Sequence, residues 1–199
     1  MNSLIVATRN MGKLMEIRKI LEGIPCRILS LDDFSDLPEI EEDGATFEQN
    51  AVKKASTIAG ITGLPTLADD SGLAVDALGG SPGVFSARYA GDKATDEMNN
   101  AKLLEALKEV PPESRGAAFH CVIALCTPDG SCATFAGELR GAILESPQGS
   151  DGFGYDPLFL VEGECESLAE MSLERKNSLS HRGRALALLK ARLSDSGFL

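Results

Sequence analysis

Asp69 and Asp70 stand side by side in Ala68-Asp69-Asp70-Ser71-Gly72-Leu73, at the expected end of a short strand and just ahead of a glycine. Paired carboxylates in such a place suit a divalent cation such as Mg²⁺, or a general base that takes a proton from water. The same pair also suits a turn with no chemistry. The acidic loop with Glu39, Glu41, Glu42 and Asp43 offers further oxygens for a cation. Nearer the start, Thr8-Arg9-Asn10-Met11-Gly12-Lys13 joins an apolar strand to a helix. That junction supplies backbone N–H groups and the positive end of the helix dipole, a natural phosphate site to which Arg9 and Lys13 add charge. It is not a P-loop, because the first glycine of that pattern is missing and Leu14 follows the lysine. A plain strand-to-helix turn accommodates the same residues.

Ser150-Asp151-Gly152-Phe153-Gly154-Tyr155-Asp156-Pro157 concentrates two aromatics in a chain with 5% aromatic residues. Its glycines let a ring swing over a flat ligand, and Asp156 is placed to accept from a base edge; the bland reading is a loop pinned to the core. Ser180-His181-Arg182-Gly183 opens the last helix. Donors at a helix N-terminus are opposed by the dipole, which points to an anionic or electron-rich partner. His120, inside an apolar run, reads as a core histidine. Phosphate cradle, metal acids, stacking loop and base-edge donors together describe a site for a nucleoside triphosphate.

These residues need elements to hold them. Leu4–Ala7 reads as a buried strand, and Gly12–Leu21 as a helix with Leu14, Ile17 and Leu21 on one face. Thr46 and Gln49 have capping-box spacing for a helix to about Ala59. Short strands are expected at Thr66–Ala68 and Leu73–Val75. Thr95 caps a helix with Met98, Ala101, Leu104 and Leu107 or Lys108 in register. Ala117–Cys126 reads as a central strand, turned by Thr127-Pro128-Asp129-Gly130 into Ser131–Leu144. Leu158–Val161 is a further strand, and the last helix carries Leu186, Leu189 and Leu193 on one stripe. Helices and strands interleave around a hairpin, so the fold is α/β with a mixed sheet.

At 199 residues the chain has material for one large domain or two closely joined lobes. No apolar run reaches the roughly 18 residues of a membrane span, and the first is too short for a secretory signal, which gives the expectation of a cytoplasmic protein with no membrane partner. The five cysteines show no C-x-x-C pair, indicate neither a disulfide framework nor a zinc site, and are expected to be structural. A net charge of −11 argues against a nucleic-acid partner, which needs a basic face, and leaves room for a small polyanion in a local funnel of cations.

With these motifs in place, the sequence resembles the inosine/xanthosine triphosphate pyrophosphatase family from Leu4 to about Leu193. The resemblance rests on Thr8-x-Asn10-x-x-Lys13, Ala68-Asp69-Asp70-Ser71-Gly72-Leu73, Ser86-Ala87-Arg88-Tyr89, Gly152-Phe153-Gly154-Tyr155-Asp156-Pro157 and Ser180-His181-Arg182-Gly183. It implies an elongated two-lobed α/β fold with an active-site cleft between the lobes, usually in a homodimer. The implied reaction is Mg²⁺-dependent hydrolysis of non-standard purine nucleoside triphosphates to monophosphate and pyrophosphate. Carried onto this chain, Thr8, Asn10, Lys13 and Lys54 hold the triphosphate, within the segment that also includes Arg9, Met11 and Gly12. Asp70 is the general base and a magnesium ligand, Ser71 touches substrate, and Glu41 is the preferred metal acid of its loop. Phe153, Gly154, Tyr155, Asp156, Lys176, His181 and Arg182 line the base pocket. One departure is Gln49, where the family usually has glutamate; the capping role survives that change.

Overall fold

The structure, a computed structural model, describes residues 3–196. It is an α/β fold with a six-stranded mixed sheet in the order β2-β1-β3-β4-β5-β6. The strands are β1 (Ser3–Val6), β2 (Arg27–Ser30), β3 (Thr66–Val75), β4 (Gly116–Cys126), β5 (Cys132–Ile143) and β6 (Phe159–Val161). The helices are α1 (Met11–Ile20), α2 (Phe47–Thr62), α3 (Asp96–Ala106), α4 (Leu173–Leu179) and α5 (His181–Ser196). Among the described residues, no helix is long and apolar enough to cross a membrane. The chain divides into two compact units.

The first unit holds the chain up to Asp70, Cys121–Gly137, and the chain from Arg182 on. Here β1 pairs in parallel with β2 and with β3. Side chains alternate along a strand, so β1 feeds two cores. Leu4 and Val6 pack with Leu14 and Ile17 of α1, with Leu21 at its C-cap, and with Leu186, Leu189 and Leu193 of α5. Ile5 and Ala7 pack with Ala51, Ala55, Ile58 and Ala59 of α2. The same alternation runs through β3, where Leu67 joins the α1/α5 core and Ala68 the α2 core. Asp69 and Asp70, next along the strand, therefore take opposite faces.

The second unit comprises Ser71–His120 and Glu138–His181. Its core gathers Leu73, Val75, Leu103, Leu107, Phe119, Phe159 and their neighbours, and β5 pairs antiparallel with β6.

Four expectations change. The two short strands around the acid pair are one ten-residue strand, so the acids sit within a strand and not at its end. In α3 the inward row is Asn99, Leu103 and Leu107, while Met98 is half exposed; a buried asparagine displaces the apolar register. His120 is partly exposed with its Nδ1 3.8 Å from Glu138 Oε2, not a core histidine. Finally, Cys126 and Cys132 form a disulfide with their Cα atoms 4.2 Å apart. They face one another where Thr127 N donates to Ser131 O at 2.9 Å, the close-approaching geometry of a non-hydrogen-bonded pair beside a hairpin turn.

Candidate active site

The phosphate segment folds as an N-cap. Asn10 takes extended backbone geometry and its Oδ1 accepts from Lys13 N at 3.0 Å, while Thr8 Oγ1 accepts from Asn10 N at 3.1 Å. This leaves the first-turn amides of α1, including those of Met11 and Gly12, without helical carbonyl partners. Arg9 and Met11 are exposed, and Gly12 and Lys13 partly so. A helix N-terminus bordered by the exposed Arg9 and the partly buried Lys13 is chemically suited to phosphate.

Beside it lies a buried group of charges. Asp69 accepts from Arg182 Nε and from the Cys121 thiol, both at 3.0 Å, and pairs with Lys13 Nζ. Arg182 Nη1 also holds Glu16. Burial alone would raise the Asp69 carboxyl, but the Arg182 guanidinium and the Lys13 ammonium hold it well below the usual carboxylate range. Asp69 is thus a fixed anion. The Cys121 thiol is pushed well above its ordinary value by burial and by Asp69, so it is inert as a nucleophile at neutral pH.

Asp70, on the opposite face, has a different setting. Asn50 Nδ2 donates to its Oδ2 at 3.0 Å, and Lys54 Nζ stands 4.0 Å from its Oδ1. Burial pushes its carboxyl up to about 6, against the pull of Lys54 and Lys13 and with Glu42 adding repulsion. A carboxyl poised near neutrality, with a lysine at hand, can accept a proton from water. Lys54 Nζ is also 2.6 Å from Glu42 Oε1 and donates to Asp69 O at 2.6 Å. It is Glu42, therefore, and not the exposed Glu41, that the loop brings to Lys54 and Asp70. Gln49 is occupied elsewhere, its Oε1 accepting from Ala45 N at 2.8 Å as Thr46 Oγ1 accepts from Gln49 N at 3.2 Å.

In the second unit, the aromatic loop is built around Asp156. Its Oδ2 accepts from Phe153 N at 2.8 Å and from Lys176 Nζ at 2.5 Å. Gly152 has φ +78, and a Cβ there would stand 2.2 Å from Asp156 Oδ2, so no other residue fits beneath that carboxylate. Lys176 Nζ lies 4.6 Å from the centre of the Phe153 ring, a cation–π contact that fixes one face of the ring. Tyr155 is buried, and its hydroxyl donates to Ser86 O at 2.8 Å. His181 is buried, its ring stacked on Phe119 at 4.8 Å.

The expected site residues thus fall into two groups. Thr8 to Lys13, Lys54 and Asp70 belong to the first unit; Ser71, Phe153 to Asp156, Lys176 and His181 belong to the second. Three side chains differ from their sequence reading. Tyr155 is a core anchor and not a swinging ring. Asp156 spends an oxygen on its own loop. Arg182 is 1% exposed, with donors spent on Asp69 and Glu16. Sequence reasoning missed Glu16, Asn50 and Cys121. Glu16, one turn after Lys13 on α1, carried the available signal, a charge on an apolar helix face.

The chain is similar to known proteins along nearly its whole length. The chain is 64% identical to a dITP/XTP pyrophosphatase of Geobacter sulfurreducens over 99% of both chains, and 49% identical to one of Bacillus licheniformis over 98% of this chain and 100% of that one. Its fold matches that of a HAM1 protein from Coxiella burnetii with a TM-score of 0.90 and 43% identity, over 98% of this chain and 100% of the other. The model of the Ham1 family matches residues 4–192. With the phosphate segment, the acid pair and the aromatic loop all inside that match, the chain belongs to the Ham1 family.

Proposed function

We propose that this chain hydrolyses non-standard purine nucleoside triphosphates, those of inosine, deoxyinosine and xanthosine, to the monophosphate and pyrophosphate, and so cleanses the nucleotide pool. The observation that carries the reading is Asp70, a buried carboxyl held near neutrality beside Lys54 and next to a fixed anion. The names of the relatives, dITP/XTP pyrophosphatase, supply the substrate class.

In this reading the amides of α1's first turn, with Lys13 and Lys54, bind the triphosphate. Asp70 Oδ1 takes a proton from the attacking water. No enzyme-bound intermediate forms, because the Cys121 thiol is inert and enclosed and no other nucleophile motif is present. Asn50 orients Asp70 through its hydrogen bond. Phe153 stacks on the base, and Lys176 and His181 supply donors to a purine bearing an oxo group at position six.

The acids suit Mg²⁺. Lys54 already stands as a cation between Glu42 and Asp70, and hard oxygen donors are what that ion selects. Among the described residues, no group of three or more His, Cys, Asp or Glu side chains has the spacing of a metal cage. Asp70 and Glu42 would hold the ion, with phosphate oxygens and water completing its shell, as is usual for Mg²⁺. When bound, the ion neutralises charge on the phosphate oxygens. The working form in this proposal is a cytoplasmic homodimer.

The test is incubation with inosine or xanthosine triphosphate and Mg²⁺, with phosphate and pyrophosphate assayed separately. Stoichiometric pyrophosphate is expected; stoichiometric orthophosphate overturns the proposal. Sedimentation at assay concentrations tests the dimer.

A further inference from the structure

Helix α3 carries polar side chains where packing alone calls for apolar ones. Asn99 is buried in the inward row with Leu103 and Leu107. Its Nδ2 donates to Ala87 O at 3.2 Å, and its Oδ1 accepts from Ala90 N at 2.8 Å. It thereby holds the segment that follows Ser86, whose carbonyl receives the Tyr155 hydroxyl. One turn apart on the same helix, Asp96 and Asn100 both reach a single residue of the aromatic loop. Gly154 N donates to Asp96 Oδ2 at 2.6 Å, and Asn100 Nδ2 donates to Gly154 O at 2.9 Å.

Gly154 lies between Phe153 and Tyr155 with φ +64, outside any strand or helix that could satisfy its backbone groups. Helix and loop do not close on one another there. A cavity of about 390 Å³ lies against both, with Asp96, Asn100, Leu104, Gly152, Phe153 and Pro157 among its walls. Where such a space remains, dispersion contacts cannot fix the loop's height, because the facing atoms are missing. Across that space the helix holds the loop through the two hydrogen bonds to Gly154, which add to the Asp156, Lys176 and Ser86 contacts that tie the loop elsewhere. Asn100 Oδ1 is buried with no hydrogen-bond partner, so the amide is engaged through its donor alone.

We propose that Asp96 and Asn100 are positioning residues for substrate base binding: by clamping the backbone N–H and C=O of Gly154, they set the Phe153 ring at stacking height. This rests on the reading of Phe153 as the base-stacking ring. The clamp acts on binding of the base and not on the chemistry at phosphorus, so it governs KM and leaves kcat alone.

The donor–acceptor pattern gives the test, by steady-state kinetics on inosine triphosphate. D96A removes the acceptor and should raise KM about 3- to 10-fold, the worth of one hydrogen bond, with kcat changed by less than about twofold. D96N keeps an acceptor oxygen of the same shape and should restore KM to near the wild-type value. N100D is equally isosteric but sets an acceptor against the Gly154 carbonyl, and should raise KM at least as much as D96A. A role in packing alone predicts both isosteric changes to be harmless, so N100D separates the two readings. Equal harm from D96N and D96A, or a wild-type KM for N100D, overturns the clamp. F153A is run alongside. If it leaves KM unchanged, the base-stacking reading fails and takes the inference with it; if F153A raises KM and N100D does not, the clamp alone fails.

Discussion

Arg182 donates through Nε to Asp69 Oδ2 at 3.0 Å, and both side chains are buried. With Lys13 and Glu16 they form a group of two cations and two anions. The cost of removing these charges from water is offset only while all four remain paired. Arg182→Ala leaves Glu16 without its guanidinium and removes one of the two cations that hold Asp69, beside Lys13 and the Cys121 thiol. Unfolding free energy should fall by about 3–5 kcal/mol, measured by urea denaturation. An unchanged midpoint, with a narrowed ratio of kcat/KM for inosine over adenosine triphosphate, would instead make Arg182 a reader of the base.

Asp70→Asn should separate stability from activity. Turnover should drop by about 10²–10⁴-fold through loss of the base. The sign of the stability change follows from linkage. The folded carboxyl titrates at about 6, above its ordinary 3.8. Stabilisation from its protonated form is complete below the unfolded value and is lost as pH rises through about 6. Ionised Asp70 therefore costs stability at neutral pH, by about 1–3 kcal/mol, and asparagine escapes that cost. In urea titrations without divalent cation, the variant's advantage should grow from pH 5 to pH 7.5. An advantage that shrinks over that range contradicts the assigned environment.

The loop acids should behave unequally towards metal. Glu42 lies 2.6 Å from Lys54 Nζ, which itself neighbours Asp70, whereas Glu41 is exposed. Glu42→Gln should raise the Mg²⁺ concentration for half-maximal rate by about tenfold or more. Glu41→Gln should leave it within about twofold. Equal shifts for the two would remove Glu42 from the metal site.

Phe153→Ala should weaken inosine and xanthosine triphosphate alike. Stacking on a base is worth about 1–3 kcal/mol and discriminates little, since every base presents a π-face. KM should rise for both substrates by similar factors. A change in their ratio of more than about tenfold would assign base choice to the ring itself.

Local signals in the sequence located the parts. Thr46 and Thr95 each cap the helix their spacing announces, because a cap needs only the amide three residues on. The apolar run Leu4–Val6 and the stripe Leu186, Leu189 and Leu193 are buried as their patterns require. The acid pair, the glycines about Phe153 and the cationic start of α1 were legible for the same reason, and the interleaving of elements fixed the α/β class.

Tertiary structure decided the partners. Asp69 and Asp70 are chemically identical in the sequence. Only burial of both faces of β3 sends one to Arg182, 113 residues away, and the other to Asn50 and Lys54. Likewise, neither composition nor spacing chooses Glu42 over Glu41, or shows that Asn99 lies inward to hold two backbone groups. Caps, turns and apolar periods act over a few residues, so the sequence by itself displays them. Whether a carboxylate is a fixed anion or a base near neutrality depends on the burial and charges that the sheet brings to it from distant segments, and those exist only in the folded chain.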